Sequence, residues 1–341
     1  MAQPTRVTLA TIAAETGVSV TTISKVLNGR GDVAADTRAR VEAQLQRSGY
    51  ARRGASRSDF VEIVLHELVT NWSLEIIEGV RGVAAESGMT ISLSVSGDRH
   101  APGPEWVTDV LRRRPAGVVL VFAGLPPAAR RKLRARGIPF VIVDPAGDPA
   151  PDVPAVGSAN WNGGLLATRH LADLGHRAIA AITGPQDVMA SHARIDGYRS
   201  AMRSADIPVD PRWIRYGDFR EGSGELHGAA LLALDQPPTA VFAGSDLQAL
   251  GVLRAAARLG FGVPHDLSVV GYDDIPLARL TTPPLTTVHQ PLRTMAEEAT
   301  RLVLRMAGGA PVGAARIDLA TSLVVRASTA PPRDARPTTT G

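Results

Sequence analysis

Apolar residues recur along the chain with two different spacings, and the change between them falls near residue 60. Before it the spacing is helical. Leu9, Ile12 and Ala13 follow Thr8, a residue type that caps helix N-termini, and Gly17 suits the left-handed position that ends a helix. Ser19 can cap a second helix running to about Leu27, which would bury Ile23, Val26 and Leu27 and expose Val20, Thr21, Ser24 and Lys25. Asn28–Gly31 breaks it. A third helix follows from about Ala35, with Val41 and Leu45 inward and Gly49 at its end. Two short helices joined at a tight glycine turn and braced by a third predict an all-α helix-turn-helix head over residues 1–50.

Beyond residue 60, short β-rich runs alternate with helical stretches. Strands are expected over 61–65, 90–95, 118–122, 140–143, 178–183, 240–243 and 268–271, with helices over 74–87, 105–113, 127–136, 163–174, 193–204, 223–234 and 246–259. Apolar strands alternating with helices predict parallel sheets covered on both faces. The number of units exceeds one sheet, so the body, residues 60–327, is expected to form two doubly wound parallel-sheet α/β lobes. The crossover is placed near residues 156–162 and the return near 288–292. Residues 51–59 form a short Arg-rich hinge. Residues 328–341 are rich in Pro and Thr, lack heptads and are expected to be a disordered tail.

Composition narrows the function. The 341 residues include no cysteine, which excludes disulfides, thiolate nucleophiles and Cys-ligated zinc. No apolar run approaches the roughly 18 residues of a membrane span, and Met1–Ala10 lacks the apolar core of a signal peptide, so a cytoplasmic protein is expected. The formal charge of +4 is unevenly placed. Residues 1–59 carry nine Lys or Arg against five Asp or Glu; the remaining 282 residues carry 28 of each. A basic module on a neutral body points to an anionic partner for that module, most simply nucleic acid.

Val7-Thr8-Leu9-Ala10, Gly17-Val18-Ser19-Val20-Thr21-Thr22-Ile23-Ser24-Lys25-Val26-Leu27-Asn28, Thr37-Arg38 and Gly49-Tyr50 closely resemble the DNA-binding module of the LacI/GalR repressor family. The resemblance implies that Val20, Thr21 and Lys25 read base edges in the major groove and that Thr8, Ser19, Thr22, Ser24, Asn28 and Thr37 hold phosphates, with Tyr50 closing the motif. Lys25 stands where Arg is commoner in the family, and a lysine is a point donor without the guanidinium fork. The family usually continues into a hinge helix whose Leu wedges into the minor groove. Here Ala51–Asp59 is short and has no Leu; Arg52, Arg53 and Arg57 either follow phosphates, reach into the minor groove, or belong to a disordered linker.

The body is similar to the same family, whose core has the shape of a periplasmic sugar-binding protein. Gly137–Asp144, His170–Arg177, Arg194–Tyr198, Ser268–Asp274 and Pro283–Val288 carry the similarity. Catalytic signatures fail: no Gly precedes a Lys, no G-x-S-x-G occurs, and His66-Glu67 has Thr70 where a zinc motif needs its second His. Asp273 and Asp274 are adjacent at a strand end and so point apart. A non-enzyme without cofactor or metal is expected.

Ligands of open α/β sheets bind at the carboxyl ends of strands, and several polar or aromatic residues fall there. Trp72, in Asn71-Trp72-Ser73 after the first strand, offers a flat face to a sugar ring. Asn160, Trp161 and Asn162 lie at the crossover. Arg194 opens a helix, Phe219 follows a strand near Tyr216, Ser245-Asp246 and Asp273 end strands, and Gln290 lies at the return. The family resemblance implies effector contact at positions 72, 162, 194, 219, 245, 273 and 290. An Arg and an Asp at these places also suit a structural ion pair. Trp106 and Trp213 read as packing, and His176 as a turn residue. The mixture of carboxylate, guanidinium, amides and aromatic faces suits a neutral polyol, and Asn71–Ile77 resembles actinobacterial regulators of oligosaccharide use. The partners expected are therefore a pseudo-palindromic double-stranded operator, a sugar effector that releases it, and a second copy of the chain in a homodimer.

Overall fold

The computed structural model describes residues 8–27, 32–48, 58–68, 71–97, 101–122, 124–310 and 316–333. Asn28, Tyr50, Arg52 and Arg53, and the greater part of the hinge, lie outside them.

The head is α1 (Leu9–Thr16), α2 (Val20–Leu27) and α3 (Ala35–Arg47). Its boundaries are set by local chemistry. Thr8 Oγ1 accepts from the Thr11 amide at 3.2 Å, Gly17 ends α1 at φ 66°, and Ser19 Oγ accepts from the Thr22 amide at 3.2 Å. Ile12, Val18, Ile23, Val26, Leu27 and Val41 make the buried core, with Leu45 packed on it.

The body alternates as the apolar pattern requires: β1 (Phe60–Leu65), α4 (Asn71–Glu86), β2 (Thr90–Val95), α5 (Pro104–Arg113), β3 (Gly117–Val121), α6 (Pro127–Ala135), β4 (Phe140–Val143), β5 (Ala155–Ser158) and α7 (Asn160–Asp173). Then follow β6 (Ile179–Thr183), α8 (Met189–Ser204), β7 (Ile214–Tyr216), α9 (Glu221–Leu232), β8 (Ala240–Ala243), α10 (Asp246–Arg258), β9 (Ser268–Asp273), β10 (Thr286–His289), α11 (Leu292–Ala307), β11 (Arg316–Leu319) and β12 (Ser322–Val324). One six-stranded sheet has the order β11-β5-β4-β3-β1-β2, the other β12-β10-β9-β8-β6-β7. β1 pairs in parallel with β2 and β3, β5 with β11, β6 with β7 and β8, and β9 with β8 and β10, while β12 runs antiparallel to β10 at an edge. Backbone contacts divide the chain into one unit of residues 1–67, 81–142 and 299–313 and a second of residues 68–80, 143–298 and 314–341.

In the first unit the apolar strand β1 is interrupted by Glu62, which is fully buried. Arg113 closes on it with Nε to Oε2 at 3.1 Å and Nη2 to Oε1 at 2.5 Å, Ser94 Oγ donates at 2.8 Å, and Trp106 Nε1 donates at 3.1 Å. A carboxylate so surrounded avoids the penalty of an unpaired buried charge. Trp106 is therefore a donor as well as a packing residue.

Three expectations are corrected. First, α4, α7 and α8 begin three or four residues earlier than expected; the Asn-led first turns of α4 and α7 carry no apolar period, and α8 opens on Met189-Ala190, too short a run to show one. Asn71–Ser73 and Asn160–Asn162 are thus first turns, and Arg194 lies in the second turn of α8, not at its opening. Second, residues 328–333 are ordered. Val269 N donates to Ser328 O at 2.9 Å, Ser328 Oγ donates to Val269 O at 2.6 Å, and Ala330 N donates to Ser268 Oγ at 3.0 Å. Specific pairing along β9 outweighs a composition typical of disorder. Third, His176 is no simple turn residue. It is buried, its Nδ1 meets Thr239 Oγ1 at 2.9 Å, and its Nε2 meets Ser268 Oγ and Ala330 O at 3.0 and 2.9 Å.

Candidate functional site

On the head, Val20 and Thr21 are exposed in the first turn of α2, while Thr22 and Ser24 are half-buried. Thr8 and Ser19 are exposed helix caps, and Thr37 is half-buried near the start of α3. Lys25 is 41% exposed, and its ammonium meets Asp32 at 2.8 Å. An exposed ion pair of this kind is worth only about 0.2–1 kcal/mol, so Lys25 can leave Asp32 at little cost.

All nine residues expected around a ligand fall in the second unit. In its sheet, β7, β6, β8, β9 and β10 lie side by side and run parallel, so their carboxyl ends form one edge. Phe219 follows β7, Ser245 follows β8, Asp273 ends β9 and Gln290 follows β10. Arg194 is 3% exposed at the centre of the group. Its guanidinium carbon lies 3.6 Å from the centroid of the Tyr272 ring and 5.3 Å from that of Phe219. Its Nε donates to Asn160 Oδ1 at 2.8 Å, and one Nη donates to the Gly244 carbonyl. Ser245 caps α10, accepting from Gln248 N at 3.0 Å and donating to the Phe219 carbonyl at 2.8 Å. Gln290 is buried; its Nε2 donates to Ser158 Oγ at 3.0 Å, and its Oε1 has no hydrogen-bond partner among the described residues.

The crossing of α7 and α8 sets the Asn160–Arg194 bond. A Cβ on Gly164 would lie 2.1 Å from the Arg194 carbonyl oxygen, and one on Gly197 would lie 2.1 Å from that of Trp161. The two backbones touch where only glycine allows it. Gly163 likewise leaves room for the Tyr272 ring.

The acids here are held as neutral species more readily than ordinary carboxyls. Burial raises the pKa of Asp273 and Asp144, with the Arg194 charge acting against it, and burial pushes Asp246 up to about 7 against hydrogen bonds from Thr287 Oγ1 and Ile275 N. Asp273 and Asp274 both take positive φ, 110° and 56°, a strained conformation for a non-glycine residue. Asp274 is paired with Arg326 and His289, and the Arg194 charge opposes the effect of burial on Asp273.

A carboxyl raised in the folded state keeps its proton there after the unfolded chain has lost it. Stability is therefore expected to fall as pH climbs from about 4 through about 7, with a slope of up to about 1.4 kcal/mol per pH unit for one group. Buried His176, lowered below its ordinary value, acts in the opposite sense as pH rises through 6.5. Asp246→Asn removes one contribution only, so urea unfolding between pH 5 and 8 should show a shallower decline for the variant; identical slopes would refute the assignment.

Comparison with known proteins identifies the two parts. Residues 8–53 match the model for bacterial regulatory proteins of the lacI family, and residues 168–329 match a periplasmic binding protein-like domain. The chain is 35% identical over 337 residues to the transcriptional regulator CelR of Thermobifida fusca, covering 95% of this chain and 98% of CelR. It is 32% identical over 335 residues to the transcriptional repressor CytR of Escherichia coli, covering 96% and 97%. The chain belongs to the LacI family. Among solved structures, this LacI-family chain resembles a CelR–cellobiose complex, with TM-score 0.72, 34% identity and coverage of 95% and 100%. It also resembles the lac repressor dimer bound to operator and an anti-inducer, with TM-score 0.70, 28% identity and coverage of 96% and 100%. The relatives are transcriptional regulators, and no helix among the described residues is long and apolar enough to cross a membrane.

Of the expected ligand residues, contacts join Asn160, Arg194, Phe219 and Ser245, and Asp273 and Gln290 adjoin one another through the Gln290 N to Asp273 O bond at 3.3 Å. Trp72 and Trp161 stand in the first turns of α4 and α7, the former half-buried and the latter 46% exposed; Asn162 is half-buried beside Trp161. Sequence reasoning missed Asp144, Ser158 and Tyr272 as members of the group. Asp144 and Tyr272 sit inside the quoted motifs Gly137–Asp144 and Ser268–Asp274, and an acid closing an apolar strand was the signal for the first of them.

Proposed function

We propose that this family member is a cytoplasmic repressor, acting as a homodimer on a pseudo-palindromic operator and released from it by a neutral saccharide. It uses no cofactor and performs no catalysis. In the head, Val20, Thr21 and Lys25 read bases; Thr8, Ser19, Thr22, Ser24, Asn28 and Thr37 hold phosphates, joined by Tyr50, Arg52 and Arg53 beyond the third helix. The saccharide is held by Trp72, Asn160, Trp161, Asn162, Arg194, Phe219, Ser245, Asp273 and Gln290.

The observation that carries the sugar reading is the buried Arg194, set against the rings of Tyr272 and Phe219 and bonded to the Asn160 amide, with the Asp273 carboxyl in its electrostatic field. Hydroxyls need donors and acceptors together, and C–H faces need rings. The cellobiose complex of CelR supports this choice of ligand. Binding can lower operator affinity only by as much as the sugar's affinity differs between the two states.

Cellobiose and a panel of mono- and disaccharides, screened by thermal shift, should yield at least one stabilising ligand, and that ligand should release operator in a gel shift. A panel with no hit, or a hit without release, would overturn the reading. Lys25→Ala should weaken operator binding about tenfold, by roughly 1–2 kcal/mol, and relax preference at one base pair. An equal loss on random duplex would contradict a base-reading role.

A further inference from the structure

Charge in the body is balanced in sum but not in place. Residues 110–143 carry eight Lys or Arg and no Asp or Glu. Arg112 and Arg113 stand in the last turn of α5 and Lys132 and Arg134 in that of α6, and the two helices pack together. In a parallel β-α-β arrangement each helix runs back against its strands, so both C-termini lie where the strands begin.

The chain arriving from the head enters at that edge. Ser58 Oγ donates to the Arg113 carbonyl at 3.2 Å and also to that of Arg114, and Ala116 N donates to Phe60 O at 2.9 Å. Nine residues separate Ser58 from Ser48 at the end of the described head, a span of at most about 36 Å when extended. The basic edge is therefore tethered within reach of any duplex the head holds.

Arg112, Arg114, Arg131, Lys132 and Arg134 are exposed. Arg113 turns inward to Glu62, and Arg112 meets Asp109 at 3.0 Å; Asp59 is exposed nearby. Cations favour helix C-termini in general. That preference does not require Arg131, which precedes the last turn, nor an acid-free stretch of this length. Arg114 moreover caps α5 at φ 54°, a left-handed position where glycine is usual.

We propose that this α5–α6 edge is a second DNA contact, seated on backbone phosphates of the duplex flanking the bases read by the head. It rests on the DNA-binding reading of the head. It adds affinity that depends on flank length and salt and is indifferent to flank sequence, as phosphate neutralisation is.

The test uses the full chain and an operator selected from a random duplex library. Failure to select any sequence would overturn the reading of the head itself, separately from this proposal. Binding is then compared on a core duplex of about 20 bp, two half-sites one turn apart, and on the same core with random flanks. In about 50 mM salt the longer duplex should bind about tenfold more tightly, with a log K against log salt slope steeper by about 2–4. Arg131→Ala/Lys132→Ala, at exposed helical positions where alanine is well tolerated, should keep core affinity within about twofold and lose most of the flank gain. Equal binding of both duplexes by the unaltered chain, or an undiminished gain in the variant, would overturn the proposal and leave an acidic protein surface as the better occupant.

Discussion

Arg194→Ala is expected to leave operator binding intact and to abolish its release by sugar. The head has its own core of Ile12, Val18, Ile23, Val26, Leu27 and Val41, and no part of the Arg194 network belongs to it. The ligand site loses more than one contact. A guanidinium has five N–H donors, and the bonds to Asn160 and Gly244 employ two of them, so others remain for sugar hydroxyls. A hydrogen bond to a charged group contributes about 1.5–3 kcal/mol, and losing one or two corresponds to roughly 10-fold to 10⁴-fold in sugar affinity. Asp273 and Asp144 lose the positive charge that opposes the effect of burial on them, so both are driven further towards the protonated form. An acid that has become neutral accepts hydroxyl hydrogen bonds less strongly.

Because a buried charge is being removed, the variant is also expected to melt lower, and its DNA binding is compared below that temperature. Arg194→Lys keeps the charge but not the fork or the flat face against Tyr272 and Phe219. It should recover stability better than it recovers sugar affinity. Calorimetric titration with the sugar found by screening decides the matter: unaltered affinity in Arg194→Ala would remove this residue, and the cluster around it, from the ligand site.

The head was legible in the sequence almost residue by residue, since caps, glycine turn and apolar face all act within four positions. Thr8, Gly17 and Ser19 needed no long-range knowledge. The central strands were legible because burial on both faces leaves an unbroken apolar run, as in Val118–Val121 and Val241–Ala243. First turns were not, since Asn71-Trp72 and Asn160-Trp161 carry no period. Nor was the order of residues 328–333, where Ser328 and Ala330 are fixed by partners about 60 positions away on β9. Arg194 could be picked out as a chemistry-bearing residue. Its surroundings could not, because Tyr272 reads as one more apolar strand position until the sheet brings it beneath the guanidinium. Summing charge over the whole body concealed the acid-free segment 110–143 in the same way: a total carries no position.

The glycines of the helices show the same limit and give the second prediction. Gly82 in α4 and Gly164 in α7 both look like weak points in a helical stretch, where alanine should stabilise by about 1 kcal/mol. At Gly82 that expectation stands, because an added Cβ meets nothing within 4 Å. At Gly164 the same methyl would meet the Arg194 carbonyl oxygen at 2.1 Å and the Arg194 Cα at 2.9 Å. These are backbone atoms, so no side-chain rotation relieves the clash and α8 must move away from α7. Overpacking of this kind destabilises by roughly 1–3 kcal/mol, a fall of several degrees in melting temperature for a domain of this size. Moving α8 also stretches the 2.8 Å bond from Arg194 to Asn160, so sugar affinity should fall in Gly164→Ala and hold in Gly82→Ala. Melting curves and sugar titrations on the pair, one methyl each, make the comparison. If Gly164→Ala melts with or above Gly82→Ala, the helices do not meet backbone to backbone at this crossing, and the positioning of Arg194 by α7 is wrong.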